Sequence, residues 1–127
     1  MILGIGIDVV ENARIADAIR RHGDNFVQKI YQSAEVEYCQ AMRDPTPHFA
    51  ARFAAKEAVS KAFGTGFVGQ FGWRDIEVRR KASGEPFVVL HGGAAELAKR
   101  LGVRSVFVSL SHSQDYAVAN AILIKED

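Results

Sequence analysis

From residue 2 to residue 10 the chain alternates, with Leu3, Ile5, Ile7 and Val9 on one face of an extended segment and Gly4, Gly6 and Asp8 on the other. This predicts a strand whose glycine face admits close approach by another backbone. The period then becomes helical. Asn12 is suited to cap a helix that turns Ile15 and Ile19 inward and stops near Gly23, and Ser33 to cap a second one holding Tyr38, Cys39 and Met42. Thr46-Pro47 opens the longest helix, which runs to about residue 63 with Phe49 and Phe53 in its apolar stripe and Gly64 as a left-handed stop. Residues 75 to 80 and 86 to 91 read as a hairpin around Ser83-Gly84, and residues 94 to 101 as a short helix ending at Gly102. Residues 105 to 112 and 116 to 124 form a second hairpin, turning at 113 to 115. The order β, helices, ββ, α, ββ predicts an α+β fold, an antiparallel sheet packed with helices in one compact domain over residues 1–127.

Composition narrows the class. The 127 residues carry 16 Lys and Arg against 15 Asp and Glu, a net charge of +1, with 48% hydrophobic residues. A chain of this size builds a core without disulfides or metal clips. Its charge balance argues against a general nucleic-acid or membrane-surface binder, while leaving room for a local basic patch. Cys39 is the single cysteine, so neither an internal disulfide nor a CxxC pair can form, and a reducing compartment is expected. The start of the chain lacks a basic signal region and meets Asp8 early, and no run approaches the ~18 apolar residues of a membrane span. These features predict a cytoplasmic protein.

Three segments carry chemistry. Gly64, Gly66 and Gly69 spell G-x-G-x-x-G, but the pattern follows a helix instead of a strand, which rejects the dinucleotide reading. In Arg52-Phe53-Ala54-Ala55-Lys56-Glu57-Ala58-Val59-Ser60-Lys61, Glu57 and Lys61 lie one turn apart. The ordinary account is an exposed, salt-bridged helix face. The functional account needs a second carboxylate, and Asp8, on the glycine face of an apolar strand, is the candidate. Two carboxylates without a histidine cluster suit Mg²⁺, which keeps several waters and bridges phosphates. His112 shares a strand face with Val106, Val108 and Leu110. Its ordinary account is a half-buried histidine; with Ser111 it would instead serve phosphate binding or a nucleophile and base pair, though no G-x-S-x-G elbow is present. His22, His48 and His91 stand alone and receive no role.

The segments Gly4-Ile5-Gly6-Ile7-Asp8-Val9-Val10-Glu11, Arg52 to Ala58 with Lys61-Ala62 and Gly64-Thr65-Gly66, Asp75-Ile76-Glu77-Val78, Gly84-Glu85-Pro86 and Ser109-Leu110-Ser111-His112-Ser113 together resemble the holo-acyl-carrier-protein synthase family. The likeness spans nearly the whole chain in order. It implies a small homotrimeric bacterial type of 4'-phosphopantetheinyl transferase, moving phosphopantetheine from coenzyme A to a serine of apo acyl carrier protein and releasing adenosine 3',5'-bisphosphate.

On that resemblance, Asp8 and Glu57 would hold Mg²⁺ against the coenzyme A pyrophosphate, and Lys61 would neutralise or protonate the leaving phosphate. Arg52, Lys61, Gly64, Thr65, Gly66, Ser111 and His112 would contact coenzyme A. The serine proton would pass to Glu57 or to an ordered water. Some family members have a carboxylate after the motif histidine; here it is Ser113, so a base from that position is not expected. Residues 12 to 30 carry a local excess of basic charge, and Arg14, Ala18 and Arg21 share a helix face, an ordinary solvated face by itself but on the resemblance the docking surface for an acidic carrier protein. The alternative function is a catalytically silent module that binds acyl carrier protein, which would have no need of Asp8, Glu57 and Lys61 together.

Overall fold

The computed structural model describes residues 1–64 and 71–127. Among these residues, five strands and five helices follow in the order β1 (Ile2–Glu11), α1 (Asn12–His22), α2 (Asp24–Ile30), α3 (Ser33–Gln40), α4 (Pro45–Phe63), β2 (Ile76–Arg80), β3 (Pro86–Leu90), α5 (Gly92–Leu101), β4 (Val103–His112) and β5 (Tyr116–Lys125), with a 3-10 turn at Trp73–Asp75. β1, β5 and β4 form an antiparallel sheet in that order, and β2 and β3 a separate hairpin. This is the expected α+β architecture. The register sets Asp8 opposite Ala119 and Ala119 opposite Leu110, so β1 and β4 are the two edges.

The core is α4 laid across the three-stranded sheet. Its contacts are small: Ala50, Ala54, Ala55 and Ala58 on the helix and Ala117, Ala119 and Ala121 on β5 are all fully or almost fully buried. The glycine face of β1 completes the approach. A Cβ on Gly4 would lie 2.0 Å from the Ala62 carbonyl oxygen, and one on Gly6 would lie 1.9 Å from that of Ala58. No side chain fits in either place. The same alternation turns Ile5, Ile7 and Val9 away from α4, where they are 65%, 64% and 62% exposed, beside Phe107, Tyr116 and Val118.

Several helix ends differ from expectation. Asn12 is the first residue of α1, not its cap, and its Nδ2 donates to the carbonyls of Ser113 and Gln114, tying the start of α1 to the β4–β5 turn. Gln32, not Ser33, caps α3: Glu35 accepts from the Gln32 N–H in a capping box. α3 ends before Met42. Asp44 caps α4 through the Thr46 N–H at 3.3 Å, two positions earlier than Thr46-Pro47 suggests. Gly64 ends it in the left-handed region as expected, at φ 83°. Among the described residues no helix is long and apolar enough to cross a membrane.

Candidate active site

The close seating of α4 on β1 brings the last turns of the helix beside Asp8. Lys61 Nζ lies 3.0 Å from Asp8 Oδ1 and donates to the Ile7 carbonyl at 3.0 Å. Lys61 therefore pairs with the strand carboxylate and not with Glu57 one turn back. The Asp8 side chain is only 17% exposed, and Lys61 remains half exposed. Partial burial, and then the charge of Asp8, push the Glu57 carboxyl above the usual glutamate range; Lys61 and Arg14 oppose the rise. Arg14, exposed on α1, thus adds positive potential at Glu57.

Two mutually repelling carboxylates beside a half-exposed lysine attract a cation and a phosphate together. The all-oxygen donor set fits a hard divalent ion. Among the described residues no three His, Cys, Asp or Glu side chains converge, so the protein would supply two ligands and leave the others to water and substrate oxygens, as Mg²⁺ favours.

A second cluster forms on the β4 side of the molecule. Arg52 is 1% exposed, and its guanidinium lies 4.1 Å from the Tyr38 ring centroid. Arg80, from β2, lies 5.8 Å from the same ring. His48, four residues before Arg52 on α4, meets the His112 ring edge-on at 5.0 Å and the Tyr38 ring at 6.1 Å. The Nε atoms of Arg52 and Arg80 are buried without a hydrogen-bond partner. Among the described residues no salt bridge joins either guanidinium to a carboxylate.

The structure thus divides the expected site residues. Asp8, Glu57 and Lys61 come together at the β1 edge. Arg52 and His112 come together near the β4 edge, with Tyr38, His48 and Arg80, none of which the sequence had marked. The expected exposed helix face is absent, because Arg52 and Lys56 are both buried. Lys56 instead pairs with buried Glu35 at 2.8 Å and donates to the carbonyls of Trp73 and Ile76. Ser111 and His112 fall on opposite faces of β4, so they do not form a nucleophile and base pair. Ser111 lines a shallow 240 Å³ hollow with Ile7, Ser109, Val118 and Asn120 on the outward sheet face. A larger cavity of 510 Å³, reaching from Asp24 and Tyr31 to Glu37 and Arg74, involves none of these site residues. Gly64 is exposed at the end of α4, whereas Thr65 and Gly66 lie outside the described residues. On α1, Arg14 and Arg21 are exposed and Ala18 is half-buried, with Arg20 and Arg21 both drawn to Asp17. His91, like His48, is not isolated: its Nε2 lies 2.7 Å from Glu77, which also accepts two bonds from Arg79.

Known proteins resemble this chain in sequence and in fold. The family model for the 4'-phosphopantetheinyl transferase superfamily matches residues 4–121. A holo-[acyl-carrier-protein] synthase of Koribacter versatilis is 53% identical over 123 residues, covering 97% of this chain and 98% of its own length. The crystal structure of the synthase from Neisseria meningitidis superposes with a TM-score of 0.91 at 32% identity, over 98% of this chain and 100% of that one. The Bacillus anthracis synthase, in complex with CoA (3',5'-ADP), gives a TM-score of 0.83 at 35% identity over 99% of each chain. With matches that run through both clusters and nearly end to end, the chain belongs to the 4'-phosphopantetheinyl transferase superfamily and, within it, to the holo-[acyl-carrier-protein] synthases.

Proposed function

We propose that this chain transfers 4'-phosphopantetheine from coenzyme A to a serine of apo acyl carrier protein, and that Asp8, Glu57 and Lys61 carry the reaction. The observation that carries this reading is their convergence where α4 crosses β1, in a chain of this family. The attacking serine oxygen forms a bond to the phosphorus that bears the pantetheine arm. The bond from that phosphorus to the bridging oxygen breaks, and adenosine 3',5'-bisphosphate leaves. Charge builds on the leaving phosphate, and the Lys61 ammonium offsets it. The serine proton passes to Glu57 or to a water beside it. Asp8 and Glu57 would hold Mg²⁺, which when bound supplies Lewis-acid polarisation of the phosphoryl oxygens. His112 is suited to a further phosphate of coenzyme A through charge-assisted hydrogen bonds, with buried Arg52 adding positive charge behind it.

The working unit of this reading is a homotrimer. Its support is the outward face of the three-stranded sheet, where Ile5, Ile7 and Val9 on β1, Tyr116 on β5 and Phe107 on β4 are each more than half exposed. The two clusters lie at opposite edges of that sheet. An assembly through the apolar face lets the carboxylates of one chain serve the same coenzyme A as His112, Ser111 and Arg52 of a neighbour. The acidic carrier protein docks on Arg14, Ala18 and Arg21 of α1, beside Glu57. Arg14→Glu is expected to raise the KM for carrier protein about tenfold at low salt, equivalent to about 1.4 kcal/mol, with the KM for coenzyme A unchanged.

The test is release of adenosine 3',5'-bisphosphate from coenzyme A with apo acyl carrier protein present. Release that needs the carrier protein and stops with a chelator supports the proposal. Carrier-protein binding without any release would leave a binding module instead.

A further inference from the structure

We infer that His48 is a pH-sensing positioning residue, holding the His112 ring in an anion subsite built by Arg52, Arg80 and His112. This inference rests on the reading of coenzyme A as substrate and deepens it.

The cluster carries an electrostatic imbalance. Two guanidinium groups flank the Tyr38 ring, and Arg52 is almost completely buried. A buried cation is costly unless paired, and ring faces offset only part of that cost. Arg80 spends one N–H on the Gly84 carbonyl at 2.7 Å, but its Nε and that of Arg52 remain without acceptors. Asp44, the carboxylate whose charge acts on His48, caps α4 through the Thr46 N–H. The cluster sits on the first turns of a 19-residue helix, whose amino end adds further positive potential. What is missing is an anion, and in coenzyme A chemistry that anion is a phosphate.

His48 is one helical turn from Arg52, so both side chains project from the same face of α4. The groups facing it come from four directions: His112 on β4, Arg52 on its own helix, Arg80 on β2 and Tyr38 on α3, with Asp44 at the cap. Burial, then the positive potential of His112, Arg52 and Arg80, lowers its pKa, and Asp44 opposes weakly. The imidazole is therefore neutral in the empty subsite at neutral pH and packs against His112 without repelling it. A phosphate dianion reverses the local potential. It then favours protonated His48, so anion binding and proton uptake reinforce each other. His48 thus tunes affinity with pH, while exposed His112 and half-buried Arg80 do the contacting and buried Arg52 adds positive charge behind them.

The test follows the His48 imidazole by NMR titration in the assembled wild-type protein, with and without coenzyme A, and compares the KM for coenzyme A between pH 6 and pH 8 in wild type and His48→Phe. The ionisation of coenzyme A itself is common to both proteins and cancels in their ratio. Coenzyme A is expected to raise the proton affinity of His48 about tenfold, equivalent to one pKa unit. By linkage, the KM of wild type relative to that of His48→Phe falls by up to about tenfold on going from pH 8 to pH 6, with kcat at saturation little changed. A merely structural histidine would shift KM equally at both pH values, and that result overturns the inference, as does a His48 titration unmoved by coenzyme A. His48→Gln keeps a polar side chain without a titration and must show the same flat ratio. Failure of wild type to use coenzyme A at all overturns the function itself, a separate outcome.

Discussion

Asp8 and Glu57 repel one another at the edge of the sheet, and Lys61 neutralises only Asp8 by direct contact. Glu57 is left as the carboxylate with a raised pKa, which fixes the sign of its effect on stability. The unfolded chain ionises Glu57 at the ordinary value and the folded chain only at higher pH. Its contribution is therefore full below the ordinary glutamate pKa and is lost as pH rises through the raised one. In metal-free protein at neutral pH, Glu57→Gln is expected to raise Tm while lowering the transfer rate by about 100-fold or more. Thermal denaturation with chelator, beside a transfer assay, checks both signs. Asp8 was legible in the sequence because a charge interrupts an apolar alternation, and Glu57 and Lys61 because one turn separates them. His48 was not. Its meaning depends on Tyr38, Arg80 and His112, which three other elements bring to it and no local spacing announces.

α4 is the element on which both clusters depend, and its polar residues show where pattern reading fails. Arg52 and Lys56 are spaced as a solvated face would be, yet α3, β2 and the 3-10 turn cover that side. Glu35 explains how the fold tolerates the buried ammonium: one carboxylate oxygen meets Lys56 at 2.8 Å and the Gln32 N–H, the other meets the Val78 N–H at 3.0 Å. Lys56→Ala strands a buried carboxylate and is expected to destabilise the protein by about 3–5 kcal/mol. Urea unfolding would measure it, and a loss under 1 kcal/mol would contradict the assigned role. The strands, hairpins and glycine stops were readable because alternation and left-handed glycines are local signals. The caps were misread where tertiary contacts claim the side chain, as the β4–β5 turn claims Asn12. α2, at seven residues after Gly23, is too short to establish a period of its own.

In the whole molecule, the alternation of β1 divides its labour between two partners. Gly4 and Gly6 serve the interior, while Ile5, Ile7 and Val9 with Phe107 and Val118 form an apolar face that α4 does not cover. The sequence showed that the two faces differ, but which one the chain covers by itself is a property of the packed sheet. If that face assembles the trimer, Ile7→Asp should give a folded monomer by light scattering and lose transfer, although the Ile7 side chain lies on the opposite face of β1 from the Asp8 carboxylate. A trimeric, active Ile7→Asp protein would remove the assembly from the account. The reaction itself is most directly tested by the intact mass of apo acyl carrier protein after incubation with coenzyme A, Mg²⁺ and either wild-type protein or Asp8→Ala. The account predicts a phosphopantetheine adduct with wild type and at least an about 100-fold slower appearance with Asp8→Ala. An adduct formed equally fast by both proteins, or by neither, would contradict it.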